Sequence, residues 1–201
     1  HVFVVSNDLP VKTIPELIAL AKKDPGKLNY GSTGVGSGSH LATELFMTRT
    51  GIKMTHVPFR GAAPLVTELM AGRIDVSNST LPSVLAQFQA GQMRAIGLAS
   101  PQRNPQAPDV PTLREQGVTD ADAESWAAFF APVKTPQPIV DKLSKTIIEI
   151  LKRPDVNERI TKIGFTLNVR DPEAFKPYLA KEIQTWADVI KAANIKTVEG
   201  N

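Results

Sequence analysis

Between Asn29 and Phe46 the chain reads NYGSTGVGSGSHLATELF, a run of glycines and hydroxyls that leads straight into an apolar-periodic helix. Small side chains such as Gly34 let backbone approach a ligand, and Ser32, Thr33, Ser37 and Ser39 add short neutral hydroxyls. The chemistry this suits is holding an anion, because N–H groups at a helix start are unpaired and carry partial positive charge. The plainer alternative is a surface loop that caps its own helix. After Gly34 and Gly36 the third position of a dinucleotide fingerprint holds Ser39, and no Lys-Ser/Thr follows as in a phosphate-binding P-loop. His40 falls in the first helical turn as a hydrogen-bonding loop anchor or a ligand donor. His56 is the only other interior histidine and no His/Asp/Glu cluster has metal-ligand spacing, so no metal site is expected.

Two further loops carry groups that could meet a ligand. In PFRG (58–61), Phe59 is either a ligand wall or plain packing. Arg60 sits against the dipole at a helix start and faces either a carboxylate or solvent. Asn78, Ser79 and Thr80 either read a polar ligand or turn the chain into Pro82. No Gly-x-Ser-x-Gly elbow, nucleophile–base pair or paired carboxylates stand out, so no catalytic residue and no cofactor are expected.

The elements that must position these loops follow from punctuation and period. A strand is expected over Phe3–Val5. A helix then begins after Thr13, with Pro15 just inside and Glu16 at the third position, and runs to about Lys23. After a DPGK turn come a strand at Leu28–Tyr30, the Gly/Ser loop, and a helix to about Arg49. A strand over Lys53–Val57 precedes a helix bracketed by Pro64 and Gly72, then a strand at Arg73–Val76 and a loop SNST at 77–80. Pro82 opens a helix closed by Gly91, and Arg94–Ala99 is a strand. Strands alternating with helices mean an α/β domain with a largely parallel sheet, whose crevice lies beyond the carboxyl ends of the strands.

Residues 100–124, rich in proline and charge, read as a surface connection with a helical turn near Thr112–Gln116. Strands are expected at Ser125–Pro132 and Phe165–Val169. Helices are expected at about Pro138–Lys152, Asp155–Ile163 and Pro172–Ala193, the last with an apolar stripe through Phe175, Leu179, Ile183, Trp186 and Ile190. Trp126 is either core or a ligand platform. Three striped helices with only two short strands imply that further strands come from an absent segment or from another chain.

Bulk properties narrow the classes. The 201 residues are 42% hydrophobic and 21% charged, which suits a globular chain. A net charge of +3 with scattered basic residues argues against a nucleic-acid footprint. Cysteine is absent, which excludes thiol catalysis and disulfides. A chain that opens inside a strand, without a charged leader, is expected to be a piece of something longer.

The blocks YGSTGVGSGSHLATELF, HVPFRGAAPLVTELMAGRIDV, LPSVLAQFQAGQMRAIGLAS, APDVPTLREQG and ESWAAFFAPVKTP, in that order, resemble the solute-binding proteins of tripartite tricarboxylate transporters, the Bug-type or TctC-like receptors. The resemblance implies an α/β, type II periplasmic-binding-protein fold. Residues 1–124 would form lobe two, and 125–201 the C-terminal part of lobe one, whose N-terminal part lacks a counterpart. It implies a periplasmic receptor that binds a di- or tricarboxylate or an aromatic acid and delivers it to an integral-membrane permease, with homo-oligomerisation or a domain swap if lobe one is incomplete. Ser32–His40 and Asn78–Thr80 would face the cleft, and Ser37 and His40 match the relatives' loop hydroxyl and histidine. Phe59, Arg60 and Gly61 stand where relatives usually carry Tyr-Lys-Gly. The competing reading is the effector-binding domain of a transcription regulator with the same two-lobed fold, which would need an upstream helix-turn-helix and a cytosolic location.

Overall fold

The computed structural model describes residues 1–195. Five strands, β1 (Val2–Val5), β2 (Asn29–Ser32), β3 (Thr55–Pro58), β4 (Val76–Ser79) and β5 (Arg94–Leu98), form one sheet in the order β3-β2-β4-β1-β5. β2 pairs in parallel with β3 and β4, whereas β1 runs antiparallel to both β4 and β5. Four strands therefore point one way, and the sheet is largely parallel as expected. β1 is apolar at every position and fully buried, as befits a strand covered on both faces.

Side-chain alternation along the strands divides the interior into two layers. One face carries Phe3, Val5, Tyr30 and Val76 and is covered by α1 (Ile14–Lys23) and α2 (Gly38–Thr50). The other carries Val2, Val4 and Leu98 and is covered by α3 (Ala62–Met70) and α4 (Leu81–Gln89). α1 starts where its capping residues predict: the Thr13 hydroxyl accepts the Glu16 N–H, and Pro15 sits in the first turn. α3 approaches the sheet so closely that a Cβ at Gly31 would collide with Leu65.

Four expectations change. The SNST stretch is no loop, because Ser77, Asn78 and Ser79 continue β4 and are buried. Leaving α3 takes the chain through Gly72 (φ 71°), and the N–H groups of Arg73 and Ile74 return to the Glu68 carbonyl, so the strand begins three residues later than Arg73. Residues 100–124 are more than a surface connection. Val110, Leu113, Val118 and Ala121 are buried, and Gln116 ties two elements together by accepting the Ile14 N–H and donating to the Ile96 carbonyl. The 3-10 turn at Arg114–Gln116 lies where a helical turn is expected.

The fourth change concerns the tail, which among the described residues holds α5 (Gln137–Leu151), α6 (Pro154–Lys162) and α7 (Pro172–Ala192) and no strand. Neither Ser125–Pro132 nor Phe165–Val169 finds a neighbouring strand to complete its ladder, and Phe129 is 78% exposed. Trp126 packs edge-on against Phe175 and Tyr178 and donates its indole N–H to Glu182, so it joins a satellite aromatic cluster on α7. α7 docks Trp186 and Val189 toward the α1/α2 core, but Ile183 on the same stripe is exposed. α5 and α6 bury no residue.

Candidate functional site

The parallel neighbours β3, β2 and β4 end side by side, and each feeds a helix. α2 leaves β2 across one face of the sheet, while α3 and α4 leave β3 and β4 across the other. Helices that diverge from adjacent strands open a crevice at the carboxyl edge of an α/β sheet. Three helix starts thus share one edge. α2 is capped by Ser37, whose hydroxyl oxygen accepts the His40 N–H, but α3 (after Gly61) and α4 (after Thr80) have no side-chain cap. With Pro64 and Pro82 lacking an N–H and the Ser83 N–H bonded to the Thr80 carbonyl, the first-turn donors left are the Ala62, Ala63 and Leu81 N–H groups.

The loop hydroxyls bond mostly to one another. Ser32 Oγ donates to the Gly34 carbonyl and Ser37 Oγ does the same at 2.7 Å. Ser39 Oγ accepts the Thr33 N–H at 2.9 Å and lies 3.0 Å from Ser37 Oγ. Of the residues expected at the site, Ser32, Ser39, His40, Asn78 and Ser79 are buried and shape the edge from beneath. Thr33, Gly34, Ser37, Phe59, Gly61 and Thr80 are half-buried, and Arg60 is exposed with no ion pair or hydrogen bond among the described residues. The Phe59 ring packs against the α3/α4 core, which favours packing over a ligand wall. Asn78 is fully buried and neither amide atom has a partner among the described residues.

Tyr30, His56 and Glu44, none of them a candidate ligand residue from the sequence, complete the edge around His40. Tyr30, His56 and His40 stack in that order, with ring centroids 4.8 and 4.0 Å apart. Glu44 Oε1 accepts the Tyr30 hydroxyl at 2.5 Å and lies 3.6 Å from His40 Nε2. The i, i+4 spacing of His40 and Glu44 was visible in the sequence. The Tyr30–His56 pair depends on β2–β3 register and was not. Ser32 Oγ lies 2.6 Å from His56 Nε2, a serine–histidine contact in form, but Ser32 is wholly buried and its hydroxyl supports the loop.

Burial, and then the neighbouring His40, lower the His56 pKa to about 4, with Glu44 pulling the other way. Burial also pushes the Tyr30 phenol up. Burial raises the Glu44 carboxyl, but its contacts with His40 and Tyr30 outweigh this and hold it below its usual range. Because the unfolded chain protonates His56 first, its contribution to stability is complete above about pH 6.5 and is lost as pH falls toward 4. Solvent screening at the half-buried ring reduces the effect to about 1–2 kcal/mol. A wild-type melting temperature that falls more steeply than that of His56→Phe between pH 6.5 and 5 is the expected result; parallel curves would contradict it.

Among the described residues no group of His, Asp and Glu could hold a metal ion, and no helix is long and apolar enough to cross a membrane. Hollows of about 630 and 330 Å³ lie along α6, and none of the candidate site residues lines either.

A family profile described as "Tripartite tricarboxylate transporter family receptor" (TctC) matches residues 1–195. The chain belongs to this receptor family. Among curated TctC-type relatives it is 34% identical over 190 residues to the UPF0065 protein of the tcbD-tcbE intergenic region of Pseudomonas sp. strain P51, covering 94% of this chain and 56% of that one. It is 33% identical over 195 residues to BugT of Bordetella pertussis, covering 97% and 60%. The chain thus spans well under two thirds of these relatives. Its fold matches that of an R. palustris protein solved with adipate (TM-score 0.89, 33% identity, 96% of this chain and 65% of that one). It also matches the periplasmic binding protein BugD (TM-score 0.82, 28% identity, 97% and 66%) and MatC from Rhodopseudomonas palustris with bound malate (TM-score 0.82, 29% identity, 94% and 65%). The TctC receptor chain is therefore an α/β periplasmic-binding-protein fold spanning part of its relatives' length.

Proposed function

We propose that this chain supplies one wall of a periplasmic receptor that captures a small carboxylate and hands it to a tripartite tricarboxylate-type membrane permease. Residues 1–124 form the ligand-binding lobe, and 125–201 belong to the other. The observation that carries the reading is the edge where α2, α3 and α4 begin, with Arg60, unpaired among the described residues, just ahead of the uncapped α3 start and a second uncapped start at α4. Such an edge suits a carboxylate, whose charge the amides and the guanidinium share. Thr33, Gly34, Ser37, Arg60, Gly61 and Thr80 contact the acid, with Phe59 beside them. Ser32, Ser39, His40 and Ser79 hold the contact surface in place, and the unpartnered Asn78 amide is kept for the ligand-bound state. Related structures hold adipate and malate, both dicarboxylates. Closure of a second lobe over this wall completes the site.

A panel of adipate, malate, citrate and benzoate tests the reading by thermal shift on the full-length receptor. A cognate acid at a hundredfold over its Kd adds about 2.7 kcal/mol to stability. Arg60→Gln should weaken binding about tenfold or more, the value of one charge-assisted hydrogen bond. Silence across the panel, or an Arg60→Gln protein that binds as tightly as wild type, would count against the assignment.

A further inference from the structure

Gly36, at the exposed tip of the Gly/Ser loop, is tied to the buried ring of His40. Gly36, with φ 76°, turns its N–H inward to His40 Nδ1 at 3.0 Å. An imidazole nitrogen that accepts a hydrogen bond carries no proton, so neutral His40 has its proton on Nε2. That nitrogen lies 3.6 Å from Glu44 Oε1. The distance is long for a hydrogen bond, yet short enough for the carboxylate charge to favour a proton on that side of the ring. Glu44 is itself fixed, since the same oxygen accepts the Tyr30 hydroxyl at 2.5 Å and Tyr30 is wholly buried in β2. The His40 ring cannot swing away, because it lies parallel to His56 at 4.0 Å (interplanar angle 8°) and His56 rests on Tyr30.

We propose that Glu44 is a positioning residue for the ligand edge: anchored by Tyr30, it selects the His40 tautomer whose Nδ1 holds the Gly36 amide, and so sets the shape of the 34–38 turn that presents backbone to the acid. The proposal rests on the receptor reading for its purpose, but the tautomer and the tether stand on the geometry alone. Glu44 touches no ligand and acts entirely through His40. If the His40 proton moved to Nδ1, the Gly36 N–H would face another donor and the turn would have to open. Orientation of a histidine by a carboxylate behind it is a general device for fixing which nitrogen faces the working side.

Nuclear magnetic resonance on the whole ¹⁵N-labelled chain tests this without requiring a ligand. The wild-type His40 ring should show a protonated Nε2 and a bare Nδ1, and the Gly36 amide should exchange slowly. Tyr30→Phe with Glu44→Leu removes both members of the buried pair together, so no orphaned hydroxyl is left to unfold the protein. In that double variant the Gly36 amide should exchange at least tenfold faster, while amides in the middle of α2 keep their protection. His40→Asn places a carboxamide oxygen near the position of Nδ1 and should restore slow Gly36 exchange with or without Glu44, whereas His40→Ala should not. A wild-type His40 protonated on Nδ1, or Gly36 exchange unchanged in the double variant, overturns the proposal. Titration of the ¹⁵N-labelled full-length receptor with adipate, malate, citrate and benzoate separates the two readings. A correct tautomer with no acid bound removes the receptor assignment and leaves the tether standing, and binding with the wrong tautomer does the reverse.

Discussion

Phe46→Ala is expected to destabilise the protein by about 3–5 kcal/mol, the range for deleting a fully buried aromatic ring from a core that cannot collapse around the gap. Phe46 is inaccessible to solvent, its ring centroid lies 4.5 Å from that of Phe3, and its neighbours in the α1/α2 layer include Tyr30 and Val76 on adjacent strands. For a chain of this size such a loss lowers the melting temperature by roughly 10 °C. The effect reaches the ligand edge because α2 also carries His40, six residues back toward the helix start and likewise buried. Denaturant titration measures it, with Phe129→Ala as the control. Phe129 is 78% exposed, and its truncation should stay within about 0.5 kcal/mol. A Phe46→Ala midpoint that hardly moves would mean the layer repacks freely, and the rigid support argued for the loop would go with it.

The contrast between these two phenylalanines shows what could be seen in the sequence. Where a residue's role is local, its type announces it: Thr13 and Pro15 start α1, Gly72 ends α3, and Gly91 (φ 70°) follows α4, all as their backbone preferences require. Where the role depends on a distant neighbour, sequence pattern misleads. The apolar run at Ser125–Pro132 has the composition of a strand, yet composition cannot supply the adjoining ladder, and Phe129 and Phe130 end in solvent. Ser77 and Asn78 look like turn residues, yet pairing with Gly31, Val4 and Phe3 makes them the middle of a sheet. The Gly/Ser loop divides between the two cases. Its position before a helix was legible, but the turning-inward of its hydroxyls on one another, and the Tyr30–His56–His40 stack beneath, arise from contacts between β2, β3 and α2.

Asn78→Leu should make the protein more stable and a worse receptor. Asn78 sits in β4 opposite Phe3, on the sheet face that α2 covers, and it has no solvent exposure. Its Nδ2 and Oδ1 have no partner among the described residues. Desolvating an amide without replacing its hydrogen bonds costs about 1–3 kcal/mol. Leucine keeps the branched four-atom skeleton with no polar atom, and its bulkier methyl groups take back part of the gain, so the substitution should recover about 1 kcal/mol and raise the melting temperature by roughly 3 °C. On the proposed receptor reading, a polar group kept at such cost two residues before the Thr80 cap of α4 serves the ligand-bound state. Adipate or malate affinity of the full-length receptor should accordingly fall at least tenfold in the same variant. The two measurements pull in opposite directions, which no simple packing defect would produce. A variant that is both less stable and unchanged in affinity would mean the carboxamide serves the fold, and the crevice would have to be read from Arg60 and the helix starts alone.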